Sequence, residues 1–371
     1  MRVLAYSDIH ICHSWPLISL EDIEAVHDRV CQYASENKPD LVLFLGDRFR
    51  ARQPKDHVRA AADRGFRRMS DEVRAYGGAF AVLVGNHDRY SESVGSGNTY
   101  SSLKVFADVM PSTLLMERPG TYTIREDLLI HALPAGYAFD RRLYLPNPAC
   151  INIFAFHGLI HGAVYDQLGN IEIKSGVSMS DLDDPTWDVV IGGDVHVPQV
   201  FPLKNTIGGY VGSTLRLNEG DAGDERGFLD ITGLDTYRSP DRRNIKFVEA
   251  GGPKFVKLDL THDMTTWPDP MAFTSAILII SLSGPASELR KVSDQQIKEI
   301  FAPCRAVEIH RHPDHEIPKI VEGINAKSTF IEDILSYIKA SDKDGFDEDR
   351  LIAKAMTLID TPIVQKRGLF K

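Results

Sequence analysis

The chain has 371 residues, of which 43% are hydrophobic and 25% charged, and its formal net charge is −10. That length suggests two or three domains, the composition is that of a globular chain able to bury a sizeable core, and no apolar run is long enough to span a bilayer. The N-terminus has no signal-peptide layout, and the four cysteines (Cys12, Cys31, Cys150, Cys304) are scattered without a CxxC pair; both argue against a secreted disulfide framework or a zinc knuckle, so a cytoplasmic protein is expected.

Five short apolar runs, at residues 3–7, 41–45, 80–84, 151–156 and 187–191, are rich in Val, Ile, Leu or Phe and have strand length. Segments 20–36 and 56–76, between the first three, carry apolar residues at helical spacing. The alternation predicts a buried, largely parallel sheet with helices on its faces. Runs at 121–130 and 208–215 read as hairpin or meander strands that complete a layered α/β catalytic domain over residues 1–250. After Gly251–Pro253 the composition resets. Strands at 254–260, 276–282 and 304–310 and a helix at 294–301 predict a small α+β capping module over 254–324. The tail, 326–371, reads as a helix pair: Thr329 and Glu332 form a capping box before an apolar stripe, and 347–359 repeats the pattern after Gly345.

Each of the five apolar runs ends in a polar or glycine-bearing corner. In order these are Ser7-Asp8-Ile9-His10, Gly46-Asp47, Gly85-Asn86-His87-Asp88, His157-Gly158 and Gly193-Asp194-Val195-His196. Strand ends in an open α/β sheet share one edge, where ligands bind. Seven oxygen and nitrogen ligands, from Asp8, His10, Asp47, Asn86, His157, Asp194 and His196, would converge there. Asp, His and Asn without thiolate suit Mn²⁺, Mg²⁺, Fe²⁺ or Zn²⁺. Asp47 is the natural bridge between two such ions, which together polarise a phosphoryl oxygen and lower the pKa of a shared water. Any one of these residues alone is an ordinary structural side chain; five such corners in sequence are not.

The order DxH, GD, GNHD, H, GxH resembles that of calcineurin-like metallophosphoesterases. Within that superfamily, Gly193-Asp194-Val195-His196-Val197-Pro198-Gln199, Tyr210-Val211-Gly212-Ser213-Thr214 and Gly227-Phe228 are similar to stretches of SbcD-type nucleases, subunits of DNA double-strand-break repair complexes. The resemblance implies a calcineurin-like sandwich with two metal ions, most often Mn²⁺. One ion would be held by Asp8, His10, Asp47 and His196, the other by Asp47, Asn86, His157 and the residue at 194. It implies His87 as catalytic histidine with Asp88 orienting it, 3′–5′ exonuclease and single-strand endonuclease activity, a homodimer, and an SMC-like (SbcC-type) ABC ATPase partner that the tail helices would clasp; docking of those helices on the chain's own capping module is the alternative. The chain departs from the family at Asp194, where the pattern has histidine.

The acidic net charge argues against a polyanion binder, yet residues 48–74 hold nine Lys/Arg against four Asp/Glu. Because Arg48, Arg50 and Arg52 directly follow the Asp47 corner, contact with the DNA backbone is expected from them. His310, His312 and His315 read as an exposed strand end rather than a metal cluster. His13, His131 and His161 read as structural, and Asp342, Asp344 and Gly345 lack the register of a calcium loop. Two other functions fit the same corners: a small-molecule phosphatase or cyclic-nucleotide phosphodiesterase, and a non-catalytic scaffold on the same fold.

Overall fold

The computed structural model describes residues 1–13, 15, 17–89, 101–103, 110, 112–160, 177–223, 225–237 and 242–313. The tail helices, His161 and His315 lie outside the described residues. In chain order the strands are β1 Val3–Tyr6, β2 Leu41–Phe44, β3 Ala79–Leu83, β4 Thr113–Met116, β5 Gly120–Arg125, β6 Leu128–Leu133, β7 Ile151–His157, β8 Val189–Gly193, β9 Gln199–Val200, β10 Ile207–Tyr210, β11 Gly227–Thr232, β12 Asn244–Glu249, β13 Phe255–Thr261, β14 Ile277–Gly284 and β15 Ala306–Pro313. Two long helices, α1 Leu20–Asn37 and α2 Asp56–Ala75, connect β1 to β2 and β2 to β3. No helix among the described residues is long and apolar enough to cross a membrane.

The strands form two six-stranded mixed sheets, β12-β11-β1-β2-β3-β4 and β5-β6-β7-β8-β10-β9, and a three-stranded sheet, β13-β14-β15. In the first sheet β1, β2, β3 and β4 run parallel, and β11 pairs antiparallel to β1. In the second, β6, β7, β8 and β10 run parallel. The five corner-bearing strands therefore do not share one sheet, as their succession suggested. Three lie in the first and two in the second.

Strand alternation explains the layering. Val3 and Ala5 of β1, with Leu41, Leu43, Ala81 and Leu83, join Ile130, Ile153, Ala155, Val189 and Ile191 in one buried cluster between the sheets. Leu4, Tyr6, Val42, Phe44, Phe80 and Val82 point the other way and pack on α1 and α2. A third cluster, including Phe154, Phe156, Trp187, Val190 and Tyr210, covers the outer face of the second sheet. With both faces covered, the central strands are continuously apolar. Helix α1 starts at a Ser19–Asp22 capping box and stops where Lys38 turns left-handed, while Ile23, Val26, Val30 and Ala34 form its buried face.

The chain divides into two compact units. One comprises Met1–Lys257, Phe273–Ile279 and Pro303–Val307; the other comprises Leu258–Ala272, Ile280–Ala302 and the described part of Glu308–Lys371. In the second unit the helix Asp294–Ile300 begins at a Ser293–Gln296 capping box and buries Ile297. His310 is partly exposed and His312 exposed on β15, the outermost strand of its sheet.

Candidate metal centre

The corners that follow β1, β2, β3, β7 and β8 are locked together by backbone hydrogen bonds. Asp8 N donates to Gly46 O (3.0 Å), His10 N to Asp47 O (3.1 Å) and Gly158 N to Gly193 O (3.3 Å). Glycines make the close approach possible: a Cβ on Gly85 would lie 2.2 Å from Asp47 Oδ1, and one on Gly193 2.3 Å from Ser7 Oγ. The Tyr210–Thr214 stretch contributes two ties. Ser213 N donates to His196 O (2.9 Å), and Thr214 donates to Ser7 O through its amide (3.1 Å) and hydroxyl (2.6 Å).

Around Asp47 the side chains converge. On one side, His10 Nε2 lies 3.7 Å from Asp47 Oδ2, 3.8 Å from Asp8 Oδ1 and 3.1 Å from His196 Nε2. On the other, His157 Nε2 lies 3.4 Å from Asp47 Oδ1, 3.7 Å from Asp194 Oδ1 and 3.0 Å from Asn86 Oδ1. His157 donates its Nδ1 proton to Leu45 O at 2.6 Å, which turns Nε2 toward the carboxylates. All seven residues expected at the centre are brought together there, Asp194 included.

Two features bear on how this set would hold cations. With its nitrogen turned inward the Asn86 amide donates to both Asp47 carboxylate oxygens and to His157 Nε2 at 3.0 Å, and turned over it would offer its oxygen to an ion between them. Asp8 Oδ1 is buried without a hydrogen-bond partner, an arrangement that buried carboxylates normally avoid. Asp8, Asp47 and His157 form one group of potential ligands, and Asp8, His10 and His196 another.

The electrostatics agree. Burial pushes Asp8 up to about 6 and raises Asp194. For Asp47 burial acts in the same direction but is outweighed by the imidazoles of His157, His10 and His87, which hold it below the usual carboxylate range. Burial draws His10 down to about 3, leaving it neutral as a ligand must be. In His157 burial opposes the cation, but Asp47, Asp194 and Asp8 prevail and hold it above the ordinary imidazole value. A divalent ion among these acids would take over the role of that imidazolium.

Two expectations require correction. Asp88 does not orient His87. Its Oδ2 accepts from the amides of Asp47 and Gly85 (2.9 Å each) and its Oδ1 from that of Arg48 (3.0 Å), so it braces the Asp47 corner. The His87 ring is set instead by Nδ1, which donates to Arg50 O at 2.6 Å and leaves Nε2 3.9 Å from Asp47 Oδ2. Nor is Arg48 placed for a backbone phosphate. It is 1% exposed, packs over Phe49 and Phe66, and pairs with Asp63 of α2. Arg50 is exposed and stacks 3.8 Å from the Trp15 ring centroid, and Arg52 is partly exposed.

Sequence reasoning missed Trp15. Its indole N–H donates to His10 O (3.3 Å) while its ring carries Arg50, so it links the His10 and His87 corners. A tryptophan five residues beyond a ligand histidine was the available signal. His13 sits on the surface, where Lys55 donates to its Nε2 at 2.8 Å. His131 is buried in a structural network with Thr121 and Asn152.

Comparison with known proteins bears on this centre. Residues 1–198 match the family model of the calcineurin-like phosphoesterases. No curated protein matches the chain. Solved structures similar to it include the TT1561 protein of Thermus thermophilus (12% identity, 67% of this chain and 99% of that one, TM-score 0.39), and a dimetal phosphatase from Danio rerio (9%, 62% and 92%, 0.40). A third is Yfce, a phosphoesterase from E. coli (12%, 62% and 88%, 0.31). The family match covers more than half of the chain and includes all five corners, so the chain belongs to the calcineurin-like phosphoesterase family.

Proposed function

We propose that the chain is a two-metal-dependent DNA nuclease that hydrolyses phosphodiesters, with 3′–5′ exonuclease and single-strand endonuclease activity. The observation that carries the two-metal reading is Asp47, whose two carboxylate oxygens face two separate sets of ligands. Bound divalent ions would polarise the phosphoryl oxygen and lower the pKa of a water at the centre. Asp8, His10, Asp47 and His196 would hold one ion; Asp47, Asn86, His157 and Asp194 the other. Mn²⁺ suits the mixed oxygen and imidazole set.

His87 acts on the substrate. Its Nδ1 is committed to Arg50 O, so Nε2 is the nitrogen that can contact the phosphate or protonate the departing 3′ oxygen. Its side chain is 37% exposed, open enough for a substrate to reach. DNA as substrate is supported by the similarity of Gly193–Gln199 and Tyr210–Thr214 to SbcD-type nucleases, and by the exposed Arg50 beside the centre. A homodimer, an SMC-like ATPase partner and a role in double-strand-break repair follow from the same similarity.

Burial of Arg48 and the net charge of −10 favour a second reading, a small-molecule phosphodiesterase. Plasmid and single-stranded DNA, assayed beside bis(p-nitrophenyl) phosphate with Mn²⁺ and with EDTA, separate the two. Mn²⁺-dependent DNA cleavage supports the nuclease. Turnover of the small diester alone supports the alternative, and EDTA-insensitive turnover rejects both.

A further inference from the structure

The Trp15–Arg50 pair has a geometry that bracing His87 does not require. Arg50 Cζ lies 3.8 Å from the Trp15 ring centroid, whereas the ring contacts of Arg2, Arg48, Arg89 and Arg141 measure 4.5 to 5.9 Å. A separation that short is the contact distance of stacked planes, about 3.5–4.0 Å between carbons, so the guanidinium lies flat on the indole. Trp15 is partly buried and packs against the apolar cluster that includes Ile9, Ile11 and Phe49, while Arg50 is exposed. With one face on the indole, the guanidinium offers solvent its other face and its N–H edge.

Short contacts tie the pair to the metal centre from both partners. Trp15 Nε1 donates to His10 O at 3.3 Å, and Arg50 O accepts from His87 Nδ1 at 2.6 Å. Arg50 N donates to Ile11 O at 3.4 Å, and the His10 and His87 rings meet edge to face with centroids 5.1 Å apart. The indole therefore touches a residue of the ligand set and the arginine touches His87, so the stack borders the position of a scissile phosphate. A contact to phosphate alone needs only charge, which a lysine supplies as a point cation. A flat cation carried on an aromatic ring and open on its outer side matches the π-face of a nucleobase.

We propose that Arg50, held flat on Trp15, is a stacking site for an unpaired nucleobase next to the scissile phosphate. Indole, guanidinium and base would form three layers. A base inside a duplex is covered on both faces by its neighbours, so the site favours single strands and frayed ends. Every base has a π-face, so the preference tolerates any sequence. The proposal rests on the nuclease reading and adds a contact to bases to the backbone contact expected there.

The test uses the full chain loaded with Mn²⁺ and two fluorescent probes of equal length, both with phosphorothioate linkages that resist cleavage. One is an oligothymidylate; the other carries abasic sugars throughout. Anisotropy measures affinity, thermal denaturation measures folding, and cleavage of unmodified single-stranded DNA is followed alongside. The wild type should bind the thymidylate at least about 5-fold more tightly than the abasic probe, the lower end for one stacked base. R50K keeps the charge and loses the plane, so it should bind both probes about equally, with the abasic affinity of the wild type. Trp15→Leu removes the support and should narrow the preference, whereas Trp15→Phe keeps a ring under the guanidinium and should preserve it. A purely structural role would weaken both probes together and would not separate them. Equal affinity of the wild type for the two probes overturns the proposal, as does an R50K variant that retains the full preference. A wild type that shows no Mn²⁺-dependent DNA cleavage defeats the nuclease reading and the proposal with it, whereas cleavage without a preference for bases defeats the stacking site alone.

Discussion

Replacing Asp88 by Asn tests which of its neighbours this carboxylate serves. Its oxygens accept three backbone N–H groups, from Asp47, Gly85 and Arg48. Asparagine keeps one acceptor and turns an NH₂ group toward at least one of those donors. A hydrogen bond to a charged group contributes about 1.5–3 kcal/mol. Part of that is recovered, because burial and then the charge of Asp47 push the Asp88 carboxyl up to about 6, so a neutral amide is easier to bury. The net loss is about 1–2 kcal/mol, which in a unit of this size lowers the melting temperature by about 2–8 °C. The loosened amides belong to the Asp47 corner, so Mn²⁺ affinity should fall about 5- to 30-fold at pH 7.5, with turnover recovering at high Mn²⁺. Titration calorimetry with Mn²⁺, thermal denaturation and DNA turnover against Mn²⁺ concentration measure the three effects. Wild-type Mn²⁺ affinity and melting temperature combined with lost turnover would return Asp88 to the role of orienting His87 and refute this reasoning.

Asp194→Ala should reduce bound Mn²⁺ toward one ion per chain and abolish turnover, whereas Asp194→His keeps both ions; unchanged stoichiometry in the alanine variant removes Asp194 from the ligand set. His87→Ala should retain metal and lose cleavage by at least about 10²-fold, the typical worth of a positioned proton donor, and near-full nuclease activity would end its assigned role. Trp15→Ala, which frees Arg50 and with it the carbonyl that holds His87, should lower kcat more than Mn²⁺ affinity, and a variant kinetically identical to wild type removes Trp15 from the brace. Burial draws His27 down to about 3, against about 6.5 for an unfolded histidine, so the stability its neutral form contributes is complete above pH 6.5 and is lost as pH falls toward 3. Denaturation of His27→Phe should therefore show a pH slope shallower by up to about 1.4 kcal/mol per pH unit across that window; parallel slopes contradict the assignment.

The elements near the centre were legible because their sequence signals are local. β1, β2 and β3 are apolar runs closed by corner residues, and α1 is announced by an apolar stripe at helical spacing. Membership of a sheet was not legible. A strand buried on both faces reads the same in either sheet, so nothing in Ile151–His157 or Val189–Gly193 distinguishes them from β1 or β2. The run at 121–130 is two strands, β5 and β6, paired through a bulge between Thr123 and Arg125. Glu126 and Asp127 reverse the chain without Gly or Pro, so a lone Asp was the turn signal within the run. The strand expected at 208–215 ends at Tyr210, because Gly212 adopts φ +83 and passes close to His196 O, where a Cβ would lie at 2.8 Å.

At the centre the side chains that converge were legible and their supports were not. Burial of Arg48 depends on Asp63, fifteen positions on and inside α2, and the engagement of Asp88 depends on three backbone amides that carry no side-chain signature. Backbone strain is also invisible in sequence. Six described non-glycine residues have positive φ, and four of them are Asp8 (50°), His10 (45°), Asp47 (58°) and Asp194 (91°). Glycine would relax each turn but could not supply a ligand atom. These conformations are unfavourable, and they persist because neighbouring corners fix them: Asp8 N on Gly46 O, His10 N on Asp47 O, and Asp194 N on Asp8 Oδ2 at 3.1 Å. The strain and the crowding of three carboxylates act against the metal-free fold at the same four turns. A cation that gathers those carboxylates therefore stabilises the turns that present them, and metal affinity and local stability at this edge should rise and fall together.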